Sequence, residues 1–317
     1  MGRKKREAET GGFPFDGEKS IFQFRTTNSE FCKTDIAFFR PPCHDEGNRT
    51  CSAPVRRLQR KEHTIMGRNY CGIPYTADLQ NGPRLDVFLP EEGEGPFPLV
   101  VCPQLEEGNG ESGERMLEGG YAVAKVRLSA LSQARFPAQM KECRCALRFL
   151  RAHSQSFFLD REHFLLWGAG LDAYLCAMLA LTMGSAEFDD LTLGYPNEPD
   201  SVQAAVLKDG VYDLSGLLRR DGAGAQAFLE KLFGTAKNET SFEHYDPLHL
   251  VSPDAPPVFL LLSADAPAET ANQSETFHQA LRRAIGEQCA LHSLPAGQRG
   301  WFTAVGEIYA FLARYLP

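Results

Sequence analysis

The sequence predicts an α/β fold: a mainly parallel central sheet with helices on both faces. Two observations carry this. Short, continuous apolar runs recur along the chain, the kind that fill central strands buried on both sides. Between them lie segments with helical apolar spacing, and strands alternating with helices at this interval build parallel sheets through crossovers. The apolar runs fall at residues 98–102, 121–127, 163–167, 202–207, 257–262 and 289–294, with a shorter alternating strand at 85–89 that stops at Pro90. Phe136-Pro137-Ala138 opens a helix with proline in its first turn, and Met140, Cys143, Leu147 and Leu150 form its apolar stripe. A nearly all-apolar helix spans 172–183, directly after the strand ending at Gly168; two amphipathic helices follow at 274–285 and 303–315. No internal repeat is present.

Composition bounds the class. The chain has 317 residues, 43% hydrophobic and 23% charged, which suits a globular protein. No apolar run reaches the ~18 residues of a membrane span, so no membrane association is expected. The basic start, 3–6, is not followed by an apolar stretch and does not read as a secretory signal. Gly2 lacks the Ser or Thr at position 6 that myristoylation wants. The nine cysteines are scattered and several lie in apolar segments, such as Cys102 and Cys176. That pattern predicts reduced core thiols and a cytoplasmic protein.

Charge is uneven. Residues 1–63 carry 13 Lys+Arg against 9 Asp+Glu, whereas the remainder carries 20 against 32. The acidic body argues against a nucleic-acid groove, and the basic segment reads as a solvated tail. Residues 1–64 are therefore expected to be an extension of uncertain order, and 65–317 the α/β domain. The extension holds Cys32, Cys43, His44 and Cys51, with Cys71 near, but their spacing is irregular and contains no C-x-x-C pair, so no metal or other cofactor is assigned.

Several segments, in order, resemble the α/β-hydrolase superfamily, most nearly bacterial carboxylesterases of the acetyl-esterase and feruloyl-esterase-like type. "RLDVFLPEEGEGPFPLVV" resembles the entry strands; "GYAVAKVRLS" and "FPAQMKECRCALRFLRAH" resemble the strand and helix before the nucleophile. "LDREHFLLWGAGLDAYLCAMLAL" is similar to the nucleophile strand, elbow and helix; "VQAAVLKDGVYDL" and "DPLHLVSPDAPPVFLLLSADAP" resemble the approach to the catalytic acid. The resemblance covers residues 65–317 and implies an α/β-hydrolase fold. It also implies where chemistry should sit: a nucleophile on a G-x-S-x-G elbow, a histidine base, an acid that orients it and backbone N–H groups that hold the oxyanion.

Each of those positions departs from the pattern. The elbow reads Gly168-Ala169-Gly170-Leu171-Asp172, so Gly170 stands where the family has its serine, and Asp172 replaces the second elbow glycine. Asp172 as a replacement nucleophile is a weaker reading than Asp172 favouring a helix N-terminus. Ala266 takes the acid's position; Asp265 beside it reads as a surface turn residue. Gln298 takes the histidine's position, and an amide has no useful pKa for proton transfer. His292 lies inside a strand and reads as structural. Gln104 and Leu105 fall where the oxyanion loop has His-Gly, and Glu106 and Glu107 follow, placing negative charge where an anion should form.

Other candidates have simpler readings. Cys143 and Cys145, two apart on a helix, point to different faces and make poor metal partners. Cys176 reads as core. His244, Asp246 and His249 read as capping or solvated residues rather than ligands. The Asn238-Glu239-Thr240 sequon is expected to be unmodified. The sequence therefore predicts an esterase-like pseudoenzyme that binds an unknown small molecule or protein. The alternatives are an ester hydrolase with a rearranged site, using Asp172 or a cysteine, and an interaction module working through the basic extension.

Overall fold

A computed structural model describes residues 69–105, 113–220, 222–234, 243–295 and 299–316. Residues 1–64, Glu106, Glu107, the Asn238 sequon and Gln298 lie outside the described residues.

Eight strands form one sheet in the order β1-β2-β4-β3-β5-β6-β7-β8. They are β1 (Tyr70–Pro74), β2 (Arg84–Phe88), β3 (Phe97–Gln104), β4 (Ala122–Arg127), β5 (Leu159–Ala169), β6 (Ala204–Lys208), β7 (Val258–Ser263) and β8 (Cys289–Leu294). β1 and β2 pair antiparallel at one edge, β2 pairs antiparallel with β4, and every other pairing is parallel. The continuous apolar runs are the parallel strands, while alternating β2 sits toward the antiparallel edge.

Strand side chains alternate between two faces, and the core divides accordingly. Leu99 and Val101 of β3 with Phe164 and Leu166 of β5 belong to one apolar cluster, and Val100 and Cys102 with Leu165 and Trp167 belong to the other. The first cluster is covered by α1 (Ala138–Ala152), α2 (Leu171–Leu181) and α5 (Ala268–Ile285); the second by α6 (Arg299–Leu312) and a 3-10 turn, Gly113–Gly119. α2 is apolar all round because it is buried all round: every residue from Asp172 to Ala180 is buried.

Several boundaries differ from expectation. α5 begins at Ala268, not near 274, because its first turns are polar and carry no apolar period; Gln273 there is buried by hydrogen bonds rather than by apolarity. α6 starts at Arg299 and ends at Leu312, earlier than the 303–315 pattern suggests. Strand β1 and the two helices α3 (Leu214–Arg220) and α4 (Gly222–Phe233) are not expected from sequence; α3 is too short to show a helical period.

The cysteine expectation holds in part. Cys102, Cys143, Cys145, Cys176 and Cys289 are free and buried. Cys71, half-buried on the edge strand β1, is disulfide-bonded, so the expectation of reduced thiols throughout is corrected: Cys71 is not enclosed by the apolar core that keeps the other five apart. Among the described residues no helix is long and apolar enough to cross a membrane.

Candidate active site

In open α/β sheets, sites form beyond the carboxyl ends of the strands, where the connections part to either side. Here the chain leaves β3, adds β4 on one side, and returns through α1 to add β5 on the other. The end of β3 and the turn from β5 into α2 meet at that point.

The β5–α2 turn is a sharp elbow. Gly170, between Ala169 at the end of β5 and Leu171 at the start of α2, has φ 57° and ψ −119°. Its N–H donates to the Lys208 carbonyl at 2.8 Å, and its carbonyl accepts from Tyr174 N–H at 3.2 Å, fixing the apex between β6 and the first turn of α2. The two elbow glycines differ in what they permit. A Cβ on Gly168 would lie 2.5 Å from the Asp172 carbonyl, so strand and helix approach too closely for any side chain there. A Cβ on Gly170 would meet nothing within 4 Å. The apex is bare but the space before it is open.

Asp172 does more than sit in a helix's first turn. It is buried, and its Oδ1 accepts from the Leu105 N–H at 3.0 Å across 67 residues of sequence. It lies in the first turn of α2, as expected, and its carboxylate also reaches over to the loop after β3. Gln104 is the last residue of β3, its carbonyl accepting from Leu128 N–H at 3.2 Å, and Leu105 is buried beside it.

The loop after β7 holds Ala266, whose N–H donates to the Ser263 carbonyl at 3.0 Å in a tight turn; Asp265 is exposed. A carboxylate that sequence reading passes over stands nearby. Asp209, just beyond β6 with φ 48°, accepts from Ser263 N–H at 2.9 Å and from Ser263 Oγ–H at 2.5 Å. Both of its oxygens are engaged by β7. Its only sequence signal is the Asp-Gly step after an apolar strand, which reads as an ordinary turn.

His292 lies in β8, its Nδ1 2.6 Å from Glu307 Oε2 on α6, away from the elbow and in keeping with a structural role. Asp246 is fully buried and caps a turn, accepting from Leu248 N–H at 3.3 Å and from Ser215 N–H at 3.2 Å; His249 Nδ1 is 3.0 Å away. Burial raises its pKa, with the backbone donors working against that rise. His244 is exposed, 3.7 Å from Glu187.

The free cysteines are poor nucleophiles. Burial pushes the Cys102 and Cys289 thiols up to about 12 and Cys145 to about 11, and it raises Cys143 and Cys176 as well. A thiol so protonated has little thiolate at neutral pH. Among the described residues, no cluster of three or more His, Cys, Asp or Glu side chains is arranged to hold a metal ion.

Comparison with known proteins agrees with this architecture. Esterase LipQ of Mycobacterium tuberculosis is 28% identical over 184 residues, covering 57% of this chain and 43% of LipQ. The chain thus spans less than half the length of that relative. A solved bifunctional GH43-CE protein of Bacteroides eggerthii superposes with TM-score 0.66 at 24% identity, over 78% of this chain and 38% of that one. A truncated carbohydrate esterase from gut microbiota gives TM-score 0.66 at 18% identity, over 79% of this chain and 97% of that one. At these identities the two structures establish the α/β-hydrolase fold. The BD-FAE family matches residues 85–281, strand β2 to the interior of α5, and the chain belongs to that family.

Proposed function

We propose that this chain is a non-catalytic member of its esterase-like family, one that uses the site at the strand ends to bind a small molecule or a partner. The observation that carries this reading is the Asp172–Leu105 hydrogen bond. In an α/β-hydrolase, N–H groups of the loop after β3 and of the residue following the nucleophile hold the developing oxyanion. Here a buried carboxylate takes one donor of that loop and brings negative charge to where the reaction would build more. The bare apex at Gly170 supports the same reading, since no side chain there can attack a carbonyl. So do Ala266 and Gln298 at the positions of the acid and the base.

A rearranged hydrolase needs another nucleophile. The buried thiols are held protonated, and the Asp172 carboxylate is committed to Leu105. The test is turnover of p-nitrophenyl acetate by the purified protein, with a fluorophosphonate probe in parallel. No turnover above background and no labelling is expected; inhibitor-sensitive turnover would overturn the reading.

A further inference from the structure

Cys71 is one of nine cysteines in the chain, and it is disulfide-bonded. Its partner follows by elimination. Cys102, Cys143, Cys145, Cys176 and Cys289 are free and buried, on β3, α1, α2 and β8. That leaves Cys32, Cys43 and Cys51, all of them in the basic extension that precedes β1.

The place of Cys71 in the fold suits a link of this kind. Among the described residues β1 is the outermost strand at its end of the sheet, with β2 beside it. Its register shifts between the Tyr70–Val87 and Ile73–Leu85 pairs, so Cys71 and Gly72 together stand opposite Asp86. Gly72 has φ 69°, and its N–H donates to the Asp86 carboxylate at 2.6 Å. Bulges of this sort gather at sheet edges and take residues out of the strand's alternation. Cys71 is half-buried at the bulge, whereas the five free thiols are enclosed by the core.

We propose that a disulfide from Cys71 to one cysteine of residues 32–51 ties the extension to the outer strand of the sheet, as a redox-dependent tether. Loop length does not choose among the three partners. The loops closed run from roughly 20 to 40 residues, and a doubling of length alters closure only about threefold. The bond forms by exchange with a small-molecule disulfide such as oxidised glutathione. The two protein sulfurs join, the glutathione S–S bond breaks, and the two protein thiol protons end on two reduced glutathiones. The core thiols take no part, because they are enclosed and burial keeps Cys102 and Cys289 protonated.

The test is peptide mapping of the full-length protein equilibrated with oxidised glutathione, its remaining thiols alkylated in denaturant. Trypsin separates the four cysteines onto peptides 26–33, 34–49, 50–56 and 69–84. Peptide 69–84 is expected to be joined to one of the other three, and dithiothreitol should part them, in a protein that remains monomeric on a gel without reductant. Cys71 found alkylated, bound to glutathione alone, joined to a core cysteine or joined to a second chain overturns the proposal. Hydrogen exchange then reads the tether's effect on the sheet. Amides of residues 70–74 should exchange about tenfold or more faster in the reduced protein and in Cys71→Ser, as an edge released from a cross-link does. Equal exchange in the oxidised and reduced wild type would show that the bond holds nothing at the edge, and would overturn the tether.

Discussion

At position 170 the side chain is missing while the space for one is open, and at position 172 a buried carboxylate stands within reach of the loop after β3. Those two residues set the local chemistry. Gly170→Ser meets no atoms within 4 Å but holds a non-glycine residue at φ 57°. It should lower stability by about 1 kcal/mol, the strain of one left-handed residue, visible in the urea midpoint, and should leave fluorophosphonate labelling at background because no histidine occupies position 298. Asp172→Ala removes the acceptor of the Leu105 N–H. A buried donor left without a partner costs about 1–3 kcal/mol, and hydrogen exchange of the Leu105 amide should accelerate relative to the neighbouring amides of β3. An unchanged Leu105 exchange rate would show that the bond contributes nothing to holding the loop.

Element by element, the fold is tied down by polar contacts that its apolar pattern does not reveal. Helix α1 buries Arg144, Arg148 and Arg151 on one face, at spacings of four and three. Arg144 holds Asp200 and the Thr182 carbonyl; Arg148 makes a two-oxygen contact with Asp189 at 2.6 and 2.7 Å; Arg151 binds the carbonyls of Arg161, Pro199 and Ser201. Together they pin the long connection between α2 and β6. Arg148→Ala strands the Asp189 carboxylate beside the core and should cost about 3 kcal/mol in urea denaturation, as breaking a buried pair does. At the other end of the sheet, Arg220 joins Asp213 to Glu269 at the start of α5. The guanidinium's hydrogen bonds hold the Glu269 pKa below the usual glutamate range. A carboxylate so depressed adds stability above its unfolded pKa and loses it as pH falls through the folded one. The difference in urea midpoint between wild type and Glu269→Gln should therefore be present at neutral pH and shrink as the pH falls below the usual glutamate range.

For the molecule as a whole, catalysis needs several parts at once, and restoring one restores little. A variant carrying Gly170→Ser, Ala266→Asp and Gln298→His places a serine, an acid and a histidine where the family resemblance puts a triad. While Asp172 still occupies Leu105, p-nitrophenyl acetate turnover should remain low. Adding Asp172→Gly should raise kcat/KM further by up to ~10²-fold, the scale of one oxyanion donor. A fully active triple variant that gains nothing from Asp172→Gly would show that the hydrogen bond is no obstacle.

The amino-acid sequence by itself determined the strand-helix alternation and the position of the elbow. Apolar periodicity is local, and so is a glycine where a motif has serine; neither requires knowledge of distant partners. β8 is legible to the residue at Cys289–Leu294, for that reason. Only the tertiary structure decided what Asp172 does, because its partner lies 67 residues away and nothing in its neighbours' composition points there. The same holds for the buried arginines of α1, which lie outside that helix's apolar stripe and become interior once the 189–201 segment folds over them. Carboxylates and guanidinium groups can be solvated or paired, and the choice between those states is made by the chain brought next to them.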